Sequence, residues 1–250
     1  MARLLDVERL RVTYGAVVAV DDVSLTVDDG EIVGLIGPNG AGKSSFIDAL
    51  TGGIKRTGSV RLAGDPIDGL PPYRVSRRGL ARTFQSVELF GDLTVEENLR
   101  LGADRPRIAD LFRDLVLPSK PRGLEDVAWA AALCGIEDDL QRYPAELSHG
   151  RRELAGVARA LAMRPKLVLL DEPAAGLDTE ESVAFGERLR SLPRNGVGVL
   201  LVDHDMELVL GVCDRIAVLD FGSVIASGTP TEVRNDPRVI EAYLGSGHAA

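Results

Sequence analysis

Glu31-Ile-Val-Gly-Leu-Ile36-Gly37-Pro-Asn-Gly-Ala-Gly42-Lys43-Ser44-Ser45-Phe-Ile-Asp-Ala-Leu50 is the stretch on which the architecture turns. Ile32 to Ile36 is a continuous apolar run, the pattern of a strand covered on both faces. Gly37 to Ser44 satisfies G-x-x-x-x-G-K-[ST], a pattern with a definite physical purpose. Its glycines let backbone N–H groups converge on phosphate oxygens without side-chain clashes. A helix beginning at Lys43 directs its positive dipole end at the same anion. Lys43 is the candidate cation for the β- and γ-phosphates of a nucleotide, and the Ser44 hydroxyl the candidate Mg²⁺ ligand. Phe46, Ile47 and Leu50 share one helix face, and Gly52-Gly53 ends the helix.

Upstream, Val23, Leu25 and Val27 alternate with Ser24, Thr26 and Asp28. With Leu10 to Tyr14 before them, these predict antiparallel strands with one buried face. Downstream, strands and helices alternate. Lys166-Leu-Val-Leu-Leu170 and Val197 to Val202 read as buried strands, followed by helices near Thr179–Leu192 and Asp205–Cys213. Arg215–Leu219 and Ser223–Ala226 flank the Asp220-Phe-Gly222 turn signal, and Asp236-Pro237 opens a last short helix. Such alternation predicts an α/β fold with a mainly parallel sheet. The middle differs. Thr94-Val-Glu-Glu97 has the capping-box pattern, Leu124 to Cys134 is helical by composition, and Leu147-Ser148-His149-Gly150 opens a helix running to about Met163. The expected organisation is one domain over residues 1–250, with a nucleotide-binding core from 1–87 and 148–250 and a helical insert over 88–147. The Arg-, Asp- and Pro-rich stretch 103–123 carries no assigned role.

Composition narrows the function classes. The chain has 250 residues, with 29 Lys and Arg against 38 Asp and Glu, a formal charge of −9. That balance opposes a general nucleic-acid footprint. No apolar run reaches the ~18 residues of a membrane span, and the N-terminus lacks the apolar stretch of a secretory signal. Two cysteines and three histidines give neither a disulfide framework nor a structural zinc site.

Two further segments bear on chemistry. Leu167-Val-Leu-Leu-Asp171-Glu172 delivers two carboxylates at the C-terminal end of a buried strand, where ligands of parallel sheets bind. Asp171 is a candidate Mg²⁺ ligand and Glu172 a candidate base for an attacking water. His204, in Leu200-Leu-Val-Asp-His204-Asp, follows another such strand and is a candidate γ-phosphate contact. Arg151 and Arg152 occupy the first turn of a helix, where cations oppose the dipole. A nearby anion, such as bound phosphate or a neighbouring acid like Glu153 or Asp178, would offset that cost.

Taken in order, Tyr14, Gly37–Ser44, Gln85, Leu147–Arg151, Leu167–Glu172, Ala174–Asp178 and His204 resemble the motifs of the ATP-binding-cassette ATPases over nearly the whole chain. The resemblance implies the P-loop NTPase (RecA-like) fold with an N-terminal antiparallel β subdomain and an inserted helical subdomain. It implies that Tyr14 stacks on adenine, that Gly37, Pro38, Asn39, Gly40, Ala41, Gly42, Lys43, Ser44 and Ser45 hold ATP, and that Ser44, Gln85 and Asp171 serve Mg²⁺. Glu172, His204 and Gln85 are then catalytic. Ser148, His149, Gly150 and Arg151 form the signature that meets the γ-phosphate of the opposite subunit, and Asp178 lies in the loop crossing the dimer interface. The implied partners are a second ATPase subunit in a homo- or heterodimer, transmembrane permease subunits and, indirectly, an extracytoplasmic solute-binding protein, with the chain peripheral on the inner face of the cell membrane.

Arg82-Thr-Phe-Gln-Ser-Val-Glu-Leu-Phe-Gly-Asp-Leu-Thr-Val95, Asp203-His-Asp-Met-Glu-Leu-Val209, Gly228 to Pro237 and Val239 to Gly245 narrow the resemblance to importer ATPases for branched-chain amino acids and related amides, including urea. The chain departs from the usual Leu-Ser-Gly-Gly-Gln signature at His149 and Arg151, and has Ser44-Ser45 where Thr-Thr is commoner. A soluble cassette ATPase of translation or DNA repair is the alternative. Such proteins carry paired cassettes, long coiled-coil insertions or basic surfaces. A small-molecule kinase on the same loop fits the Asp171-Glu172 pair and His204 less well than water as acceptor.

Overall fold

The computed structural model describes residues 2–83, 89–103 and 123–245. They fall into two compact units, Met1–Gln85 with Lys166–Ala250, and Ser86–Pro165.

The first unit contains two sheets. β1 (Arg3–Tyr14) and β2 (Val17–Asp28) form an antiparallel hairpin, joined in one sheet by β4 (Thr57–Leu62) and β5 (Asp65–Pro66) in the order β2-β1-β4-β5. The period-2 pattern of β2 holds: Val23, Leu25 and Val27 are buried, whereas Ser24 is exposed and Thr26 and Asp28 half-buried. The second sheet comprises β3 (Ile32–Ile36), β6 (Leu80–Arg82), β7 (Leu167–Asp171), β8 (Gly198–Val202), β9 (Arg215–Asp220) and β10 (Ser223–Gly228), in the order β10-β9-β3-β8-β7-β6. All neighbours are parallel except β10, which returns antiparallel on β9. β3, β7 and β8 are buried at every position, as their unbroken apolar runs require.

Helix α1 (Lys43–Leu50) follows β3 with the bounds read from sequence. Its Phe46, Ile47 and Leu50 pack in a core cluster with Leu5, Val7, Leu10 and Leu35. Each such side chain contributes roughly 1.5–3 kcal/mol by leaving water. Short α2 (Pro72–Arg77) precedes β6.

In the second unit, α3 (Val95–Ala103) begins with the expected capping box. Thr94 N donates to Glu97 Oε2 at 2.8 Å and Glu97 N to Thr94 Oγ1 at 3.3 Å. Fully buried Asn98 accepts from Phe90 N and donates to three carbonyls, Phe90, Leu93 and Thr94, which shapes the approach to α3. α4 (Leu124–Cys134) stops at Gly135, whose φ of 65° is the left-handed helix terminator. α5 (His149–Leu161) packs on α3 and α4. A Cβ at Gly102 would lie 2.3 Å from the Arg159 carbonyl oxygen, so α3 and α5 approach at a distance only glycine permits. The sequence reading put residues from 148 onward with the core; the observed packing places α5 in the helical unit.

The first unit is completed by α6 (Thr179–Leu189), α7 (Met206–Val212), α8 (Pro230–Arg234) and α9 (Pro237–Gly245). No helix among the described residues is long and apolar enough to cross a membrane.

Candidate nucleotide site

Strands β3, β8 and β7 are adjacent and parallel. The chain therefore leaves all three in one direction. Gly37, Asp203 and Glu172, the residues that follow them, are delivered to one edge of the sheet, as binding sites of parallel sheets require. The phosphate loop bends there under steric compulsion. Gly42 has φ 104°, and a Cβ on it would sit 2.3 Å from the Ala19 carbonyl oxygen. Loop residue Ala41 accepts a 2.9 Å hydrogen bond from Gly222 N, tying the loop to the β9–β10 turn.

Lys43 is buried, and its Nζ donates to the Gly37 carbonyl at 2.7 Å and the Pro38 carbonyl at 3.1 Å. Burial pushes the ammonium pKa down, opposed by the charges of Glu172, Asp171 and Asp203. The lysine thus lies coiled over its own loop with three acids in electrostatic reach. Ser44 is exposed at the start of α1. Tyr14, at the end of β1 and half exposed, brings its hydroxyl within 3.5 Å of Ser45 Oγ.

Asp171 is buried at the end of β7, and burial pushes its carboxyl pKa up against the hydrogen bond from Arg82. Glu172 turns the chain away with φ 48°, an uncommon backbone for a non-glycine residue, while its N–H donates to the Val202 carbonyl at 2.7 Å. His204 Nδ1 lies 3.8 Å from Glu172 Oε2 and 3.6 Å from Asp203 Oδ1. Asp203 is fully buried. Burial raises its pKa, opposed by N–H donation from Asp205 (2.9 Å) and Ala174 (3.1 Å), so it staples the segment after Glu172 to the segment holding His204.

Oxygen donors suit Mg²⁺, which is held through one or two carboxylates plus phosphates rather than by a protein cage. Asp171 supplies such a carboxylate, and the exposed Ser44 hydroxyl a further oxygen donor. Among the described residues no cluster of three or more His, Cys, Asp or Glu forms a cage. Gln85 lies outside the described residues.

Asp178 caps α6, accepting from Glu181 N at 2.8 Å. In the helical unit Ser148 caps α5, accepting from Arg151 N at 3.4 Å; His149 is half-buried and Gly150 buried. The anion beside Arg151 in this unit is Asp139, a residue the sequence reading did not weigh. Arg151 Nη2 lies 2.6 Å from Asp139 Oδ2, and Nη1 donates to the Gly135 carbonyl at 2.7 Å. Arg142 joins the same carboxylate at 3.1 Å. Asp203, to which the sequence reading gave no role of its own, is a further residue at the sheet's edge; its one signal was an acid directly after the apolar run of β8.

The ABC transporter family matches residues 20–175, and the branched-chain amino acid ATP-binding cassette transporter family matches 223–249. The chain belongs to the ABC transporter ATP-binding family. This cassette is 39% identical over 249 residues to the high-affinity branched-chain amino acid transport ATP-binding protein LivG of Salmonella typhimurium, covering 97% of this chain and 98% of that one. It is 38% identical to BraF of Pseudomonas aeruginosa, a protein of the same description, over 97% of this chain and 98% of its relative. A crystal structure of an ATP-binding cassette of an ABC transporter in its ADP conformation superposes with TM-score 0.87 and 30% identity, covering 98% of this chain and 100% of the other. The α/β fold of a P-loop ATPase and an ATP-hydrolysing role follow from membership, and the soluble alternative is not favoured.

Proposed function

We propose that this cassette energises a membrane importer for branched-chain amino acids or related amides. The observation that carries the reading is near-full-length similarity to LivG and BraF, on a chain whose phosphate loop, Asp171-Glu172 and Asp203-His204 leave three adjacent parallel strands. Its partners are a second ATPase subunit, transmembrane permease subunits that hold the cassette peripherally on the inner face of the cell membrane and, indirectly, an extracytoplasmic solute-binding protein. Residues 1–85 and 166–250 act as the nucleotide-binding core, and 86–165, with α5, as the helical unit.

The roles follow from chemistry. Tyr14 offers a ring to adenine. Gly37 to Ser45 supply backbone N–H groups to the phosphates, and Lys43 exchanges its two carbonyl partners for phosphate oxygens. Ser44, Asp171 and Gln85 would hold Mg²⁺, which supplies charge neutralisation of the phosphates. Glu172 takes the proton of the attacking water, and His204, held near Glu172 and Asp203, orients the γ-phosphate. The signature residues Ser148, His149, Gly150 and Arg151, together with Asp178, face the opposite subunit.

Glu172→Gln tests the reading. ATP binding should persist, while hydrolysis in the purified transporter falls by about 10²–10⁴-fold, as for loss of a general base. Near-normal turnover would remove Glu172 from the mechanism.

A further inference from the structure

Arg82 has no role in the site as assigned. It ends β6, three residues before Gln85. Its guanidinium joins two acids on two nucleotide-facing elements: Nη1 donates to Asp48 Oδ1 on α1, and Nη2 to Asp171 Oδ2 on β7 at 2.9 Å. The Arg82 side chain is 16% exposed and that of Asp171 is 7%, so the pair is shielded from water and counter-ions. Asp48 lies one helical turn beyond Ser44. The next residue strengthens the strap. Thr83 N donates to the Leu169 carbonyl at 2.9 Å, and Asp171 N to Thr83 Oγ1 at 3.4 Å. Residues 82–83 are therefore bound to the end of β7 through backbone and side chains together.

A guanidinium is a rigid planar fork. Two acids on its two amino groups keep a fixed separation and orientation, which a lysine ammonium on a flexible stem does not impose. We propose that Arg82 is a positioning residue that clamps Asp171 to the helix of the phosphate loop, so that the carboxylate facing the nucleotide is aimed by the strand leading to Gln85. The fork engages Oδ2 of Asp171, and through it sets the direction of the other oxygen. Displacement of residues 82–83 is then felt at Asp171. The proposal rests on the reading of Asp171 as a Mg²⁺ ligand.

The test uses the full chain loaded with ADP and Mn²⁺ as the metal probe, followed by electron paramagnetic resonance, which needs no turnover. Arg82→Lys keeps the charge and loses the fork; Mn²⁺ affinity should fall about tenfold, the lower end for partners that orient a metal ligand. Asp48→Asn changes neither Arg82 nor Asp171, yet releases the far arm of the fork, and should weaken Mn²⁺ binding in the same direction. The double variant should lose less than the sum of the two. Metal-free ADP affinity should be unchanged in all three. Should Arg82→Lys unfold the chain, Asp48→Asn alone decides. Unchanged or tighter Mn²⁺ binding in either single variant, or strictly additive losses, overturns the clamp. Failure of Asp171→Asn to weaken Mn²⁺ binding would instead overturn the metal assignment beneath it.

Discussion

Replacing Arg151 by glutamine restores the usual residue of the signature and should nevertheless destabilise this protein. Arg151 contributes a 2.6 Å ion pair to Asp139 and a 2.7 Å hydrogen bond to the Gly135 carbonyl. Removing one member of a fully buried pair costs about 3–5 kcal/mol, because the other charge is left uncompensated. Two features reduce that figure. The Arg151 side chain is 37% exposed, and Arg142 remains on the Asp139 carboxylate at 3.1 Å. A loss of about 1–2 kcal/mol is therefore expected for the pair. Removing a cation from the first turn of α5 returns about 0.3–1 kcal/mol. The net destabilisation is about 1 kcal/mol, which for a chain of this size lowers the melting temperature by about 2–4 °C. Asp139→Asn should destabilise in the same direction, and the double variant should be less destabilised than the sum of the singles. Thermal melting of the nucleotide-free chain, with denaturant titration for the free energies, gives all three values. Dimerisation with ATP, measured at two salt concentrations, should keep its salt slope in Arg151→Gln. An unaltered melting temperature with weaker, less salt-sensitive dimerisation would refute this account and make the partner's ATP the anion that Arg151 serves.

Lys43→Ala removes the buried cation of the phosphate loop. Hydrogen bonds to charged groups contribute about 1.5–3 kcal/mol, so titration with a fluorescent ATP analogue should show affinity roughly 10–100-fold lower; unchanged affinity would mean that backbone groups alone hold the phosphates. The pH dependence follows from Asp171, whose pKa burial raises in the folded chain. From about pH 4 up to the raised native value, the folded state binds more protons than the unfolded one, so ionising this group costs stability as pH rises. Melting of the nucleotide-free protein between pH 4 and 7 should show wild type losing stability relative to Asp171→Asn as pH rises; a difference that is constant or of opposite sign would contradict the burial effect.

What depends on near neighbours in the chain was legible in the sequence. The apolar run of β3, the start of α1 at Lys43, the reciprocal capping of Thr94 and Glu97 and the Gly135 stop of α4 each arise within a few residues. Short-range sterics and hydrogen bonds decide such features, and residue order records them directly. Asp171-Glu172 at the end of β7 and His204 after β8 were legible for the same reason: an apolar strand must deliver the polar residues that end or follow it to the sheet's edge. Tertiary structure decided the partners. Arg82 reaches Asp48 across 34 positions and Asp171 across 89, and Asp203 meets Ala174 across 29. Arg151 looked like a cation in want of an anion, but the fold supplied Asp139 from the turn between α4 and α5. The packing of α5 with α3 and α4 was likewise set by fit, through the one small residue at Gly102 that admits the Arg159 carbonyl. Local sequence specifies which groups carry charge and which segments extend or coil. Which charges share a buried site depends on strand order and helix approach, and these follow from closing one core over many segments at once.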